Sequence, residues 1–230
     1  MAYLYAFITA LSTLLGGWLA LSGILKNIAN RYLIGFAAGA MLGIAFFDLI
    51  PEAVERMAIS WAIALGFFFV YILEKFILIH GSDEKEITGA SVGWVPVIGI
   101  ALESLADGIA IAAGFAVNPA LGLTIALAVI AHELPRGFTT GVIMKHAGYS
   151  SAAAFLVLLI DAFFTPLGVA AAGLVPAGQF PNLLAFTAGV FLYVGAGDLL
   201  PEAHRQFNWK VVFSVLAGAA LILLISIFMI

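Results

Sequence analysis

Two short stretches of this sequence place ionisable side chains among residues that are otherwise almost all apolar. Glu103-Ser104-Leu105-Ala106-Asp107-Gly108 carries two carboxylates four residues apart. His132-Glu133-Leu134-Pro135-Arg136-Gly137 carries an imidazole, a carboxylate and a guanidinium within five residues. On a helix, the i, i+4 spacing puts Glu103 and Asp107 on one face, and His132 and Arg136 likewise, with Glu133 three residues from Arg136. Carboxylates beside one imidazole, in a chain without cysteine, suit zinc, manganese or iron(II). Pro135 removes the backbone donor that would bond the Ala131 carbonyl, which frees one more oxygen for a ligand.

A mid-membrane charge costs roughly 2.5–3.5 kcal/mol on insertion scales, so these groups must face a bundle interior or an aqueous path. The structural alternative is an ion-pair network in which Arg136 satisfies Glu103, Asp107 or Glu133 and only holds helices together. Buried pairs seldom repay their desolvation, and the acids outnumber the arginine, so a cation site is the favoured reading. Its expected ligands are Glu103, Asp107, His132 and Glu133, with Arg136 resting on Asp107 or Glu103 when metal is absent. Ser104, Arg136 and the deep Asp161 belong to the expected pathway. Asp48 and Asp198 are expected near its two ends, each followed by Pro and Glu (Glu52, Glu202). Helix-end polarity is the plainer account of that last group. Met41, His80, His146 and His204 are weaker candidates, better read as core, loop and interfacial residues.

The elements that must position these residues are long apolar helices. The chain has 230 residues, 64% hydrophobic and 10% charged, which puts it outside the range of soluble domains. We expect an all-α integral membrane protein with eight spans, roughly 3–25, 31–55, 58–80, 92–116, 119–144, 151–174, 182–203 and 208–230. Residues 1–230 then form a single transmembrane transporter domain with almost no loop. The longest polar connection is His80 to Ala90. The N-terminus lacks a basic leader region and is expected to be the first span rather than a cleaved signal. Non-alternating apolar runs exclude a β-barrel.

Basic residues set the expected orientation. Lys26, Arg31, Lys75, Lys85, Lys145, Arg205 and Lys210 fall on one side, and Arg56 alone on the other. Both termini are therefore expected outside the cytoplasm, and the short loops point to a plasma (inner) membrane. There is no P-loop, and Arg136 stands where the zinc-protease motif H-E-x-x-H needs its second histidine, so we expect no enzyme. No basic patch or aromatic motif suits nucleic acid.

The second and seventh spans are near copies. Gly35–Glu55 and Ala185–Arg205 share nine of 21 positions, including D-L-x-P-E-A in both. The fourth and fifth echo each other more faintly, E-S-L-A-D-G over H-E-L-P-R-G. Related segments that cross in opposite directions make an inverted repeat, here three spans, a polar pair and three more, with the substrate near the midplane.

These residues resemble the ZIP family of divalent-metal transporters. The likeness is carried by AAGAMLGIAFFDLIPEA, by LEK followed by His80, by ESLADG with HELPRG, and by FTPLG and FTAGVFLYVGAGDLLPEA. It implies an eight-helix bundle, often a homodimer, that moves zinc, iron(II) or manganese toward the cytoplasm by alternating access. No prosthetic group is implied; the metal is the cargo. The chain departs from the family at the site. Glu103, Ser104 and Asp107 stand where the family has His, Asn and Glu, and Arg136 stands where it has a metal-bridging Glu or His. Thr165 replaces a glutamate found in some members. Arginine cannot ligate a metal, so a single, harder site is expected, which favours manganese or iron(II). Two other readings remain: a carrier of another solute that uses Arg136, and a ZIP-like sensor or partner protein that no longer transports.

Overall fold

On the first helix of this bundle, small side chains face the interior and large ones face outward. In the computed structural model, residues 1–22, 30–56, 61–81, 94–146 and 148–229 are described. Helix α1 (Ala2–Ser22) buries Ala6, Thr9, Ser12, Thr13, Gly16 and Gly17, while Leu4, Phe7, Leu11, Leu15 and Trp18 are exposed. Lipid is as apolar as leucine, so helices in a bilayer associate through close backbone contact and polar groups, and the bulky residues turn outward.

Four helix crossings show that closeness. Helices α2 (Asn30–Ile44), α4 (Trp61–Gly81), α5 (Trp94–Val117), α6 (Pro119–His146), α7 (Ser151–Ala172), α8 (Phe180–Tyr193) and α10 (Trp209–Met229) complete the long elements. The dominant pairings are α1 with α6, α5 with α7, α2 with α10 and α4 with α8. Each is a reciprocal glycine contact. A Cβ on Gly16 would meet the Leu134 carbonyl at 2.1 Å, and one on Gly137 the Thr13 carbonyl at 2.1 Å. Gly108 and Gly168 do the same between α5 and α7, Gly39 and Gly218 between α2 and α10, and Gly66 and Gly189 between α4 and α8. The inverted repeat relates these crossings in pairs. Gly16 maps to Gly168, Gly39 to Gly189, Gly66 to Gly218, and Gly108 to Gly137.

The D-L-x-P-E-A segments share an irregularity that the expected straight spans did not include. A π-helical turn, Ala45–Leu49, separates α2 from α3 (Ile50–Glu55), and a second, Val194–Leu199, separates α8 from α9 (Leu200–Ala203). In equivalent places, the Ile50 amide bonds the Ala45 carbonyl and the Leu200 amide bonds the Gly195 carbonyl, each five residues back. Pro51 and Pro201 follow directly. A proline ring clashes with the carbonyl four residues before it, and the wider turn relieves that conflict.

The two copies run antiparallel. Ala53 packs with Ala62 and Ala185, while Ala203 packs with Ile34 and Val211, so Asp48 and Asp198 lie toward opposite ends. Ser226 bonds Asp48, and Tyr5 stacks on Phe115 beside the same end, so both chain termini are there. Among the described basic side chains, Arg31, Lys75, Lys145, Arg205 and Lys210 belong to the Asp198 end and Arg56 to the Asp48 end; Lys26 and Lys85 lie outside the described residues.

Among the described residues, seven stretches are long and apolar enough to cross a membrane: Ala2–Ser22, Arg31–Glu55, Ile100–Val117, Pro119–Val142, Ser151–Ala172, Ala177–Ala203 and Trp209–Phe228. The expected third span coincides with the 21-residue α4, which is not among these seven. The molecule is an all-α membrane protein.

The crossings carry the fold's most stringent packing requirement. Gly108→Ala and Gly137→Ala should each lower stability in detergent by about 1–3 kcal/mol through overpacking. Gly178→Ala, with nothing within 4 Å of the added carbon, should stay within about 0.5 kcal/mol. Thermal melts of the three purified variants provide the check.

Candidate metal centre

The α5–α7 and α1–α6 crossings bring four helices together around one buried polar cluster. Asp107 on α5 and His132 and Glu133 on α6 are all essentially inaccessible. One donor atom from each of these three lies within 4.8 Å of the other two. His132 Nε2 is 3.2 Å from Asp107 Oδ2 and 3.6 Å from Glu133 Oε1. Both Asp107 oxygens, His132 Nε2 and Glu133 Oε1 nevertheless make no hydrogen bond of acceptable geometry. Buried polar atoms are almost always hydrogen-bonded, so three buried donors that converge this closely without well-aligned bonds have the arrangement of a ligand set. Zinc–ligand bonds of about 2.0–2.2 Å in a tetrahedral site put donors roughly 3.3–3.6 Å apart, close to the spacing His132 Nε2 already has from the two carboxylate oxygens.

Arg136 organises the other half of the cluster. Its guanidinium lies 2.5 Å from Glu133 Oε1, 2.9 Å from Asp161 Oδ1 on α7, 3.3 Å from Glu103 Oε2 and 3.8 Å from Asp107 Oδ2. It also donates to the Ser104 hydroxyl, which in turn donates to Asp161 Oδ1 at 2.5 Å. The expected partners Glu103 and Asp107 are within ion-pair range, but the nearest acids are Glu133 and Asp161. Four carboxylates therefore surround one guanidinium.

Glu103 stands apart from the trio. It is partly exposed, and with Ala106, Glu74 and Asp198 it lines a cavity of about 220 Å³ that runs toward the Asp198 end. Asp48 lies at the opposite end, in a cavity of about 370 Å³ with Glu52, Glu55 and Asn118. Glu202 is tied at the surface to Arg205 at 2.6 Å, just as Glu52 is tied to Arg56. His204 Nδ1 sits 3.1 Å from the Leu200 carbonyl, facing its own helix. Met41 is a fully buried core residue. The side chains of His80 and His146 lie outside the described residues. Helix α6 continues through Pro135.

Three positions were not singled out from the sequence. Thr13 on α1 donates its one hydroxyl proton to Glu133 Oε2, with the Thr9 carbonyl at 3.2 Å as the alternative acceptor, and Ser12 donates to the Ile130 carbonyl at 3.1 Å. Glu74 on α4 accepts from the Tyr193 hydroxyl. The signal was present: Thr9, Ser12 and Thr13 form a hydroxyl stripe on an apolar helix, and Thr9 and Thr13 are the repeat mates of Asp161 and Thr165.

The ZIP Zinc transporter family profile matches residues 79–226 of this chain. The mouse zinc transporter ZIP10 is 34% identical over 127 residues, covering 53% of this chain and 15% of that protein. Zinc transporter ZIP13 of Pongo abelii is 27% identical over 227 residues, covering 86% of this chain and 67% of its own length. The Drosophila melanogaster zinc transporter foi is 30% identical over 159 residues, covering 65% and 22%. The chain thus spans only a small part of several curated relatives it matches.

The Thr13 hydroxyl meets Glu133 at Oε2, while Arg136 lies at Oε1. Thr13→Val should cost about 1–3 kcal/mol of stability in metal-free protein, because a buried acceptor loses its donor. Added divalent metal should restore part of that loss. Melting curves with and without metal give the comparison.

Proposed function

Because the chain belongs to the ZIP zinc transporter family, we propose that it carries one divalent cation at a time across a bilayer, bound by Asp107, His132 and Glu133. The observation that carries this reading is the trio of buried, convergent donors inside apolar spans. Zinc, manganese and iron(II) all suit two carboxylates and an imidazole. Arg136 is a tethered cation beside the ion. At about 4 Å and an effective dielectric near 20, one unit charge repels another by about 4 kcal/mol and a dication by twice that. A second ion next to the guanidinium is thereby disfavoured, and the site is mononuclear.

The proposed route runs between the cavities at the two ends. The one lined by Glu74, Asp198 and Glu103 reaches the residues around Arg136. Toward the Asp48 end, the fully buried Met41, Ile44, Ile111, Ile125 and Val129 intervene. With the excess of basic residues at the Asp198 end, the positive-inside rule places that end in the cytoplasm. This conformation then faces inward, both termini are outside, and net movement is toward the cytoplasm. Ser104, Asp161 and Arg136 hold α5, α6 and α7 in register around the ion. The eight-span 3+2+3 arrangement, with α4 as the third span, and a plasma-membrane location belong to the same reading. So does a homodimer within the bilayer.

A second reading is favoured by one observation. Arg136 is held by acids from α5, α6 and α7 at once, which is also what a plugged, transport-inactive site would look like. Uptake into proteoliposomes loaded with a metal-sensitive dye separates the two. We expect saturable flux of zinc, manganese or iron(II) that Glu133→Ala abolishes, and the ranking of metals identifies the cargo. Folded wild-type protein without flux, with flux appearing in Arg136→Gln, would establish the plug instead.

A further inference from the structure

The cavity at the Asp48 end is separate from the metal centre. Along α6, Thr124 on its wall is eight residues from His132, roughly 12 Å at helical rise. Ile125 and Val129 fill the interval, with Ile111 and Ile44 against them, all fully buried. Three acids line the cavity, Asp48 in the π turn and Glu52 and Glu55 on α3, together with Asn118 at the α5–α6 junction. Arg56 is held by Glu52, so its charge offsets one acid only. The Asn118 carbonyl already caps α6 by accepting from the Leu121 amide at 2.7 Å, and it keeps a second lone pair.

Asp48 is the decisive residue. Its side chain is more than nine-tenths buried although it borders the cavity. Ser226 donates to Oδ1 at 2.7 Å, while Oδ2 has no partner. A buried carboxylate oxygen without a donor is costly, and the π turn fixes the backbone that presents it. Among the described residues that line the cavity, every group able to ligate is an oxygen. Such a set selects hard cations that keep part of their water, in contrast to the imidazole-containing centre.

We propose that Asp48, Glu52 and Glu55, with the Asn118 carbonyl, form a second cation site that takes a partly hydrated hard divalent ion independently of the metal centre. This deepens the transport reading and rests on it only for its role, a vestibule that concentrates cations before the apolar layer.

Manganese binding to the 230-residue chain in detergent tests the site, read from the loss of the free Mn²⁺ paramagnetic resonance signal on titration. Wild type should bind two Mn²⁺, Glu133→Gln and Asp48→Asn one each, and the double variant none. Asp48→Asn keeps its shape and the acceptor for Ser226. If Asp48→Asn lowers binding and Glu133→Gln does not, the vestibule stands and the central assignment fails. If Glu133→Gln binds no Mn²⁺, or the double variant binds as tightly as Glu133→Gln alone, the vestibule proposal is overturned. Glu55→Gln, at an exposed position, covers the case of an Asp48 variant that does not fold. It should weaken the Glu133-independent binding by about tenfold, or 1.4 kcal/mol, with an unchanged melting temperature. Unchanged affinity in Glu55→Gln overturns the proposal as well.

Discussion

A guanidinium held among four carboxylates in an apolar bundle constrains nearly everything else in this molecule. Moving such charges out of water costs several kcal/mol per ion even after relaxation, and mutual attraction repays it only with good geometry and additional hydrogen bonds. That geometry has to come from backbones. Asp161 reaches Arg136 because Gly108 and Gly168 let α5 and α7 cross at backbone contact, and Glu133 meets Thr13 because Gly16 and Gly137 do the same for α1 and α6. Larger side chains at those glycines would spread the cluster and leave the charges unsatisfied. The glycines and the charges are two halves of one requirement.

The inverted repeat supplies matched scaffolds, and the chemistry breaks the match. The two π turns, the paired aspartates and the four glycine crossings obey the repeat closely. At the centre, Asp107 maps to Arg136, Glu103 to His132, and Thr9 to Asp161. Each half therefore receives an acid facing a hydroxyl, but from opposite helices. Glu133 on the central α6 takes the hydroxyl of Thr13 on α1, and Asp161 on the outer α7 takes that of Ser104 on the central α5. A symmetric pair would place like charges face to face. The exchange lets a single arginine lie between the two acids and contact both.

Much of this was legible in the sequence, for reasons that differ by level. Apolar length gave the spans, because a bilayer demands it, and the repeated D-L-x-P-E-A revealed the repeat. Spacing put Glu103 with Asp107 on one face and His132 with Arg136 on another, and the expected ligand set was Glu103, Asp107, His132 and Glu133, of which the last three converge. Glu103 separated from the trio because helix α5 turns it toward the cavity shared with Glu74 and Asp198, a rotation that spacing within one helix cannot fix. The contacts of Thr13 and of Tyr193 with Glu74 join residues more than a hundred positions apart, and only the crossings bring them together. The π turns were hidden because proline in a helix announces strain without saying which of several adjustments relieves it.

On the proposed transport reading, the arginine would also change what an empty carrier costs. Four formally ionised carboxylates without a counter-charge would leave four negative charges in a low-dielectric interior, and one dication would still leave two. With the guanidinium in place the same states carry three and one. Repulsion between Arg136 and the ion weakens binding, yet both states lie nearer neutrality than they would without it. A carrier must cross its cycle loaded in one direction and empty in the other, and the empty crossing is the step that loses a bound ion's charge. A cation fixed to the chain cannot be lost at that step. If the proposed transport reading holds, Arg136 would give up affinity in the loaded state to steady the empty one, in keeping with the proposed single-ion site.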